Sequence, residues 1–309
     1  MSTTQTGTVT EGFVDFRGQR TWYRSVGEAS SPERLPLLLL HGGPGAAHDY
    51  LAPLESLART GRRVVLYDQI GCGRSGGPRD DAAFYDAELF VAEVQAVRDA
   101  LGLDRVHLLG QSWGGMLAMQ YALGAPAGLA SIVVADSPAD MTQWVAEANR
   151  LRAELPPDVA AALAAHEAAG TTDDPAYAAA VEVFYRRHVC RLPEWPEAFV
   201  RSIDVMTKDG FVYNVMNGPS EFHVIGKLKD WTILDRLHEI RTPTLLLSGA
   251  YDEATPAIVG AIAERIAGSA WILFPESSHT PHLEEPAAFE AAVTGFLAGV
   301  EAEMFRASR

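Results

Sequence analysis

The sequence predicts an α/β fold in which a mostly parallel central sheet, flanked by helices, is interrupted by an inserted helical segment. Short, almost uninterrupted apolar runs are typical of strands buried on both faces of a parallel sheet, and these runs alternate with helical stretches. The alternation stops between residues 140 and 231, where Ala, Glu and aromatic residues recur at helical spacing. We therefore expect a first core part over residues 1–139, a helical cap or lid over 140–231, and a second core part over 232–309.

The predicted elements follow in order along the chain. Alternating apolar and polar residues from 8 to 26 predict an opening antiparallel hairpin. Strands buried on both faces are predicted at residues 35–40 and 64–67, and further strands are predicted at 106–109, 131–135, 244–248 and 271–274. Helices are predicted between the first two of these strands, at residues 86–101, directly after 112, at 257–267 and at 286–305.

The composition and charge restrict the classes of partner. The chain has 309 residues, of which 48% are hydrophobic and 21% are charged, as in a soluble globular protein. Its formal net charge of -15 disfavours nucleic-acid backbones and anionic membrane surfaces, and it favours cationic substrates. We therefore expect neither a nucleic acid nor a membrane as partner, and a ligand that bears an amine fits the charge.

Cysteine usage and the first residues indicate a cytoplasmic location. Cys72 and Cys190 are far apart in the sequence, so neither a disulfide framework nor a zinc site is indicated. Residues 1–11 are polar and Thr-rich and lack the basic and apolar segments of a secretion signal. No apolar run is long enough to span a bilayer.

The candidate nucleophile is Ser112. It lies in the segment Gly-Gln-Ser-Trp-Gly at 110–114, between a predicted strand and a predicted helix, where the G-x-S-x-G pattern forms a sharp turn that exposes the serine Oγ. The alternative is a glycine-rich turn with an ordinary serine. The strand-turn-helix context favours the nucleophile.

The segment His-Gly-Gly-Pro-Gly at 41–45 is the candidate oxyanion loop. It follows a predicted strand, and its glycines would let a backbone N–H group approach a substrate closely. The N–H groups of Gly43 and Trp113 would then stabilise a tetrahedral oxyanion, with each donor contributing roughly 3 kcal/mol. A plain turn is the alternative, and the position before the Ser112 segment favours the oxyanion loop.

Asp252 and His279 are the candidate acid and base, because the acid and then the histidine follow the nucleophile in this kind of triad. Each comes directly after a predicted strand, where side chains reach the crevice at the carboxyl edge of the sheet. Asp136 is the rival acid, although it could instead cap or brace the entry to the lid. His282 is the rival base, although it could be a solvated or capping histidine.

Cys72 lies in the loop Asp-Gln-Ile-Gly-Cys-Gly-Arg-Ser at 68–75 and is a weaker candidate nucleophile. A reactive cysteine needs a histidine partner and a lowered pKa, and nothing nearby in the sequence supplies either. We expect a small packed residue under the floor of the site. Asp68 and Arg74 could form an ion pair there, although a plain structural link is the better hypothesis.

These segments resemble the proline iminopeptidases and their aminopeptidase and amino-acid amidase relatives, which have the α/β-hydrolase fold. The resemblance spans the chain and rests on residues 41–45, 68–75, 110–115 and the segment Met-Asn-Gly-Pro-Ser-Glu-Phe at 216–222. The last segment is the most specific, because general α/β-hydrolases lack it. The resemblance implies that Glu221 and Glu253 clamp the free α-amino group of the substrate.

The residues themselves are compatible with that implication. Two carboxylates in a partly dry cleft would hold an ammonium group strongly, and the cation would relieve their mutual repulsion. The alternative is a pair of solvated surface glutamates. The residue preferred at the first position of the substrate stays open, because cap aromatics such as Trp144, Tyr185, Trp195, Phe199 and Trp231 could line a pocket or belong to the core.

The resemblance implies a serine aminopeptidase or amidase that cleaves the amide bond after an N-terminal residue with a free amine. A small peptide, an amino-acid amide or an aminoacylated small molecule would be the substrate, and no cofactor or metal is expected. A biosynthetic hydrolase that removes an aminoacyl group, or an esterase or lactonase without amine recognition, is the alternative. A non-catalytic binding protein is a third hypothesis, which the complete triad disfavours. The oligomeric state stays open.

Overall fold

The structure, a computed structural model, describes residues 8–307 and centres on one eight-stranded sheet. Its strands are β1 (Val9–Phe16), β2 (Gln19–Val26), β3 (Leu37–Leu40), β4 (Val64–Tyr67), β5 (Val106–Gln111), β6 (Leu129–Ala135), β7 (Thr244–Gly249) and β8 (Ala270–Phe274). Their order across the sheet is β1-β2-β4-β3-β5-β6-β7-β8. Residues 1–7, which the sequence analysis includes in the first core part, lie outside the described residues.

The predicted hairpin and parallel sheet are confirmed. Strands β1 and β2 pair antiparallel, β2 pairs antiparallel with β4, and all other neighbouring strands pair parallel. Strand β3 shows why its apolar run is uninterrupted. Leu38 and Leu40 pack into the core on one face of the sheet, whereas Leu37 and Leu39 pack into the core on the other face.

Helices cover both faces of the sheet and form the insertion. They are α1 (Ala87–Ala100), α2 (Trp113–Leu123), α3 (Met141–Arg152), α4 (Pro157–Ala169), α5 (Pro175–His188), α6 (Glu197–Lys208), α7 (Phe211–Met216), α8 (Pro256–Ala263), α9 (Pro281–Glu284) and α10 (Pro286–Ala307). The predicted helix between β3 and β4 is instead a 3-10 helix, His48–Thr60, which contains Pro53. Proline lacks the N–H that a continuous α-helix would need at this position.

Helices α3 to α7 all lie between β6 and β7 in the sequence. Part of this segment has an apolar cluster of its own, which includes Leu163, Phe184 and Phe222. An isolated antiparallel bridge between Asp140 and Thr232 joins the two ends of the segment. The division into a cap over 140–231 and two core parts stays a prediction.

The topology brings several loops to one edge of the sheet. Strands β3 and β5 to β8 are parallel, so the loops that follow them emerge on the same side. The helices α3 to α7 leave the sheet from this edge as well. Among the described residues, no helix combines the length and the apolar character needed to cross a membrane.

Candidate active site

Ser112 lies at the turn between β5 and α2, with φ 57° and ψ -124°. This backbone conformation is unfavourable for a residue with a side chain, and the neighbouring glycines make the turn possible. A Cβ atom at Gly110 would collide with the carbonyl oxygen of Gly114, and one at Gly114 would collide with that of Leu40. The Ser112 N–H donates to Ala135 O at 2.8 Å, which fixes the turn to β6.

The loop after β3 lies beside this turn. Gly43 has φ 111°, a conformation that favours glycine, and it lines a cavity of about 10 Å³ together with Ser112 and Trp113. Trp113 is the first residue of α2, where backbone N–H groups have no acceptor within the helix. The residues of the two predicted oxyanion donors therefore line one cavity with Ser112, and their role stays a prediction.

His279 and Asp252 lie on the loops after β8 and β7. His279 Nδ1 and Asp252 Oδ1 are 2.6 Å apart, and both side chains are buried. Burial would lower the pKa of His279, but the charge and hydrogen bond of Asp252, together with the charges of Glu221 and Glu284, outweigh it and raise the pKa overall. His279 and Ser112 line the same cavity of about 40 Å³. The fold thus brings together the three residues that the sequence singles out as a triad.

A chain of hydrogen bonds that the sequence analysis missed connects these loops. Tyr50 Oη accepts from the N–H of Gly42 at 2.7 Å and donates to Gln111 Oε1 at 2.6 Å. Gln111 Nε2 donates to the carbonyl oxygen of His279 at 2.8 Å. The position of Gln111 directly before Ser112 was the available signal, whereas nothing in the sequence marks Tyr50.

Glu221 and Glu253 face the same cavity as Ser112 and His279. Glu253 is fully buried, and neither of its carboxylate oxygens has a hydrogen-bond partner among the described residues. Glu221 is partly buried and accepts from Tyr213 Oη at 2.7 Å. Burial raises the pKa of both carboxyls, and the charges of Glu221 and Asp252 raise that of Glu253 further. These are not solvated surface glutamates.

His282 differs from the expectation of a solvated or capping histidine. Its side chain is 1% exposed and its Nε2 lies 3.1 Å from the carbonyl oxygen of Tyr50. Burial lowers the pKa of His282 to about 3, so it is a neutral core residue. It lies on the short helix α9, which the sequence analysis did not predict, and that helix turns the side chain inward.

The loop 68–75 follows β4 and is organised around the buried Asp68. Asp68 Oδ1 lies 2.8 Å from His48 Nδ1, and its Oδ2 accepts from the backbone N–H of Arg74. The Arg74 guanidinium pairs with Glu11 instead, so the link between Asp68 and Arg74 is structural rather than an ion pair of side chains. Cys72 is buried in the core, and burial raises the pKa of its thiol well above the usual value, which disfavours a thiolate nucleophile.

His41 braces the candidate oxyanion loop. Its Nδ1 lies 2.9 Å from the carbonyl oxygen of Gly42, and its Nε2 accepts from the N–H of Gln69. Gln69 Oε1 in turn accepts from the indole N–H of Trp113 at 2.8 Å. Because these contacts join the loops after β3 and β4 to the start of α2, they hold the two candidate oxyanion donors in register.

The cap aromatics divide between pocket and core. Tyr185 and Phe199 line the cavity that contains Ser112, and Trp144 lines the small cavity on the other side of Ser112. Trp195 lines a separate cavity of about 500 Å³ within the cap. Trp231 donates to Gln120 Oε1 and packs against the main core.

Metal binding has no candidate site in residues 8–307, where no three His, Cys, Asp or Glu side chains are grouped so that they could hold an ion. The two cysteines are unpaired and buried. The chemistry available at this edge of the sheet is therefore that of a serine, a histidine and several carboxyls.

Comparisons with known proteins agree with this geometry. A family model described as the alpha/beta hydrolase fold matches residues 36–286. The proline iminopeptidase of Levilactobacillus brevis is 40% identical over 294 residues, which cover 94% of this chain and 97% of that protein.

Two solved structures are similar over nearly the whole chain. A proline iminopeptidase from Mycobacterium smegmatis is 45% identical with a TM-score of 0.89, and the match covers 96% of this chain and 100% of that chain. The protein VinJ is also 45% identical, with a TM-score of 0.92 and coverage of 94% and 99%. The chain belongs to the proline iminopeptidase family of α/β-hydrolases.

Proposed function

We propose that this enzyme is a serine aminopeptidase or amidase that removes an N-terminal residue with a free α-amine through an acyl-enzyme. Ser112 is the nucleophile, His279 the general base and then general acid, and Asp252 the carboxylate that orients His279. The N–H groups of Gly43 and Trp113 form the oxyanion hole. Glu221 and Glu253 hold the ammonium group of the substrate.

The single observation that carries the proposal is the pair of glutamates beside the candidate triad. Glu253 is fully buried without a hydrogen-bond partner, and its Oε1 lies 3.7 Å from Nε2 of His279. A buried carboxyl without partners is costly, and it persists where a ligand satisfies it. Because Lys and Arg are absent from the described residues that line this cavity, a cation supplied by the substrate is the fitting partner.

In the proposed reaction, Ser112 Oγ attacks the carbonyl carbon and its proton passes to Nε2 of His279. Asp252 accepts from Nδ1 of His279 and thereby stabilises the imidazolium that forms. His279 then gives the proton to the leaving amine, and a water molecule hydrolyses the acyl-enzyme by the same route. An ammonium group between Glu221 and Glu253 would place the first carbonyl, and no later one, at Ser112.

The test compares kcat/KM for an aminoacyl arylamide and its N-acetylated twin, at a pH where the free amine is charged. Glu221→Gln and Glu253→Gln should each lower kcat/KM for the free amine by about 10- to 100-fold, mainly through KM, because a charge-assisted contact is lost. The N-acetylated twin should be affected little, so the preference for the free amine should collapse.

Glu197→Gln is the matched control, since this cap glutamate is 89% exposed and pairs only with Arg201 in its own helix. It should leave the preference intact. An undiminished preference for the free amine in both clamp variants would overturn amine recognition and leave the general serine-hydrolase chemistry.

A second candidate, removal of an aminoacyl group from a larger apolar molecule, is favoured by the cavity of about 500 Å³ in the cap. This cavity shares Tyr185, Ile203 and Met206 with the cavity at Ser112. None of the described residues that line either cavity is Lys or Arg, so the carboxylate of a short peptide would lack a counter-charge. An uncharged apolar leaving group fits better.

The two candidates separate in a series with one acyl residue and three leaving groups: a small arylamine, a long-chain alkylamine and a free amino acid. Val181→Asp places a charge in the cap cavity and should lower kcat/KM about tenfold for the long-chain amide only. Val200→Asp, on the exposed surface of α6, is the control. A preference for the free dipeptide over the long-chain amide would reject this second candidate.

We also propose that the protein is located in the cytoplasm. Both cysteines are unpaired, which suits a reducing compartment.

A further inference from the structure

Asp136 is a buried acidic residue that the proposed reaction does not use. It follows β6, its N–H donates to Leu247 O at 2.9 Å, and its φ of 54° lies in the left-handed region. The residue is fully buried, and neither carboxyl oxygen has a hydrogen-bond partner among the described residues. A strained backbone and two unsatisfied oxygens persist only where the surroundings compensate for them.

Asp252 also has a buried carboxyl oxygen without a hydrogen-bond partner among the described residues. Its Oδ1 accepts two hydrogen bonds, from Nδ1 of His279 at 2.6 Å and from the N–H of Ala254 at 2.8 Å. Its Oδ2 is buried and has no partner in the described part of the chain. Asp136 and Asp252 follow the neighbouring parallel strands β6 and β7, so both carboxyl groups, each with an unpartnered oxygen, lie on adjacent loops at the same edge of the sheet.

Two ionised carboxylates cannot satisfy one another, because each can only accept a hydrogen bond. With one proton between them, the pair gains a donor, and the orphaned Oδ2 of Asp252 gains a partner. We propose that Asp136 is a positioning residue that keeps a proton and donates it in a hydrogen bond to Oδ2 of Asp252. The inference rests on the role proposed above for Asp252.

The electrostatic surroundings of Asp136 favour a proton on its carboxyl group. Burial raises the pKa of Asp136 well above its usual value, and the charges of Asp252 and of Glu284 on α9 raise it further. The Tyr50 phenol also faces this group, and burial raises its pKa, so it stays neutral. Asp252 has the cationic partner, since His279 lies on its other side.

This hydrogen bond would fix the rotation of the Asp252 carboxylate. With Oδ2 held by Asp136, Oδ1 stays directed at Nδ1 of His279, which selects the tautomer that leaves Nε2 free for the Ser112 proton. The proton on Asp136 is not transferred at any step. Removing the hydrogen-bond donor at position 136 should therefore lower kcat, because the orientation of His279 changes, and should leave substrate binding nearly unchanged.

Two variants test the positioning role with an aminoacyl arylamide. Asp136→Asn keeps a donor at this position and should retain most of the wild-type kcat. Asp136→Ala removes the donor and should lower kcat by about 10- to 100-fold with little change in KM.

Alkaline pH should inactivate the wild type as Asp136 ionises, and Asp136→Asn should lack this limb of the pH profile. Equal inactivity of both variants in a folded state, or full activity of Asp136→Ala, would overturn the proposal.

Infrared difference spectroscopy gives a readout that does not depend on catalysis. At neutral pH, wild type minus Asp136→Asn should show the carbonyl stretch of a protonated carboxylic acid. Subtraction isolates Asp136 from other buried acids such as Glu93. The control, Asp235→Asn at an exposed position, should show only the loss of a carboxylate band. A carboxylate band in the Asp136 difference would refute the proton, whereas triad variants that keep near-normal turnover while the acid band is intact would fault the proposed function alone.

Discussion

Two groups of buried ionisable side chains lie at opposite ends of the parallel strands, and their charges are balanced in opposite ways. At the carboxyl ends lies the acidic cluster, which consists of Asp136, Glu221, Asp252 and Glu253. At the amino ends of β3 to β5 lies the paired cluster, which consists of Arg34, Arg62, His107 and Glu301. The first has an excess of carboxyls, and the second has an excess of cationic groups around one carboxylate.

In the paired cluster the protein itself satisfies the carboxylate, Glu301, although Nη2 of Arg62 has no hydrogen-bond partner among the described residues. Glu301 Oε1 accepts from Arg62 Nη1 and from the N–H of Leu35 at 3.0 Å each, and Oε2 accepts from Arg34 Nη1 at 2.9 Å. Burial would raise the pKa of Glu301, but the hydrogen bonds of His107, Arg62 and the Leu35 N–H and the charge of Arg62 outweigh it and lower the pKa to about 2. These contacts fasten α10 to the sheet.

The acidic cluster is not satisfied. No Lys or Arg in the described residues pairs with any of its four carboxyls, and His279 is its cationic partner. Burial raises the pKa of Asp136, Glu221 and Glu253. The contrast indicates that buried charge serves stability where the chain supplies the counter-charge, whereas in the proposed function a cation of the substrate supplies it to the acidic cluster.

The largest effects on activity should come from substitutions at the carboxyl ends of the strands, where the acidic cluster lies. Ser112→Ala, His279→Ala and Asp252→Asn should each lower kcat by about four to six orders of magnitude, because triad members act as a unit. Asp252→Asn should also raise Tm, since it removes one charge from a crowded set of carboxyls. The measurements are kcat and thermal unfolding of the same preparations. Near-normal turnover of Asp252→Asn with a collapse in Asp136→Asn would move the acid role to Asp136.

The paired cluster should behave in the opposite way. Glu301→Gln should lower the free energy of unfolding by roughly 3–5 kcal/mol, because it leaves Arg62 buried without its counter-charge, and should spare kcat of the folded enzyme. Since the pKa of Glu301 is lowered from 4.5 to about 2, its stabilisation is present above 4.5 and is lost as the pH falls through about 2. Acid unfolding of the variant should therefore depend less on pH in that window.

Glu303→Gln is the matched control for this prediction, because the residue is exposed on the same helix. Urea unfolding at pH 7 and pH 3 measures both effects. Equal stability of Glu301→Gln and Glu303→Gln would mean that the paired cluster does not stabilise the fold.

Substrate binding should release protons from the acidic cluster. The raised pKa of Glu253 means that its carboxyl holds a proton in part of the free enzyme, and an ammonium group beside it would favour the ionised form. Calorimetry of Ser112→Ala with an aminoacyl amide, in buffers of different ionisation enthalpy, should show release of up to about one proton. Glu253→Gln in the same background should reduce the release. Proton uptake instead of release would contradict the clamp.

The sequence analysis located the residues around the acidic cluster better than those of the paired cluster, for a physical reason. Catalytic groups follow strands within short motifs, so Ser112, Asp252 and His279 could be located from local patterns. Arg62 and Glu301 are 239 residues apart and belong to no motif, so only the fold brings them together. The partners of Asp136 could not be found for the same reason, although its position after a strand marked it as a rival acid.

The inner strands were predicted because an uninterrupted apolar run is typical of burial on both faces. Strand β8 at the edge of the sheet differs, since Trp271, Ile272 and Leu273 are exposed in spite of their apolar run. The elements that differ depend on single residues: Pro53 prevents a regular helix, and the short helix α9 turns His282 into the core. The cavity in the cap depends on how helices α5 to α7 pack, which no periodicity in one helix can specify.

The smallest effect concerns Glu93, a lone buried carboxyl that belongs to neither cluster. It is fully buried on α1 and accepts hydrogen bonds from Thr21 Oγ1 at 2.5 Å and from the N–H of Ile70 at 3.0 Å. Burial raises its pKa to about 8 in spite of these two contacts. Glu93 has neither a cationic partner nor a proposed ligand. Its raised pKa indicates that the fold accommodates this buried carboxyl in its protonated form.

The sign of the pH dependence follows from that raised pKa. Between about 4.5, the usual value, and about 8 the folded state holds a proton that the unfolded chain has lost, so the contribution of Glu93 is complete below this window and declines as the pH rises through it. Glu93→Gln is neutral at every pH and can still pair with Thr21 and Ile70. It should match the wild type within about 1 kcal/mol at pH 5 and be the more stable protein at pH 9. Urea midpoints at the two pH values, with Glu88→Gln on the exposed face of α1 as control, measure the difference. If the wild type and Glu93→Gln lost stability in parallel between pH 5 and pH 9, Glu93 would be ionised in the folded protein, and a buried carboxyl here would need no proton to persist.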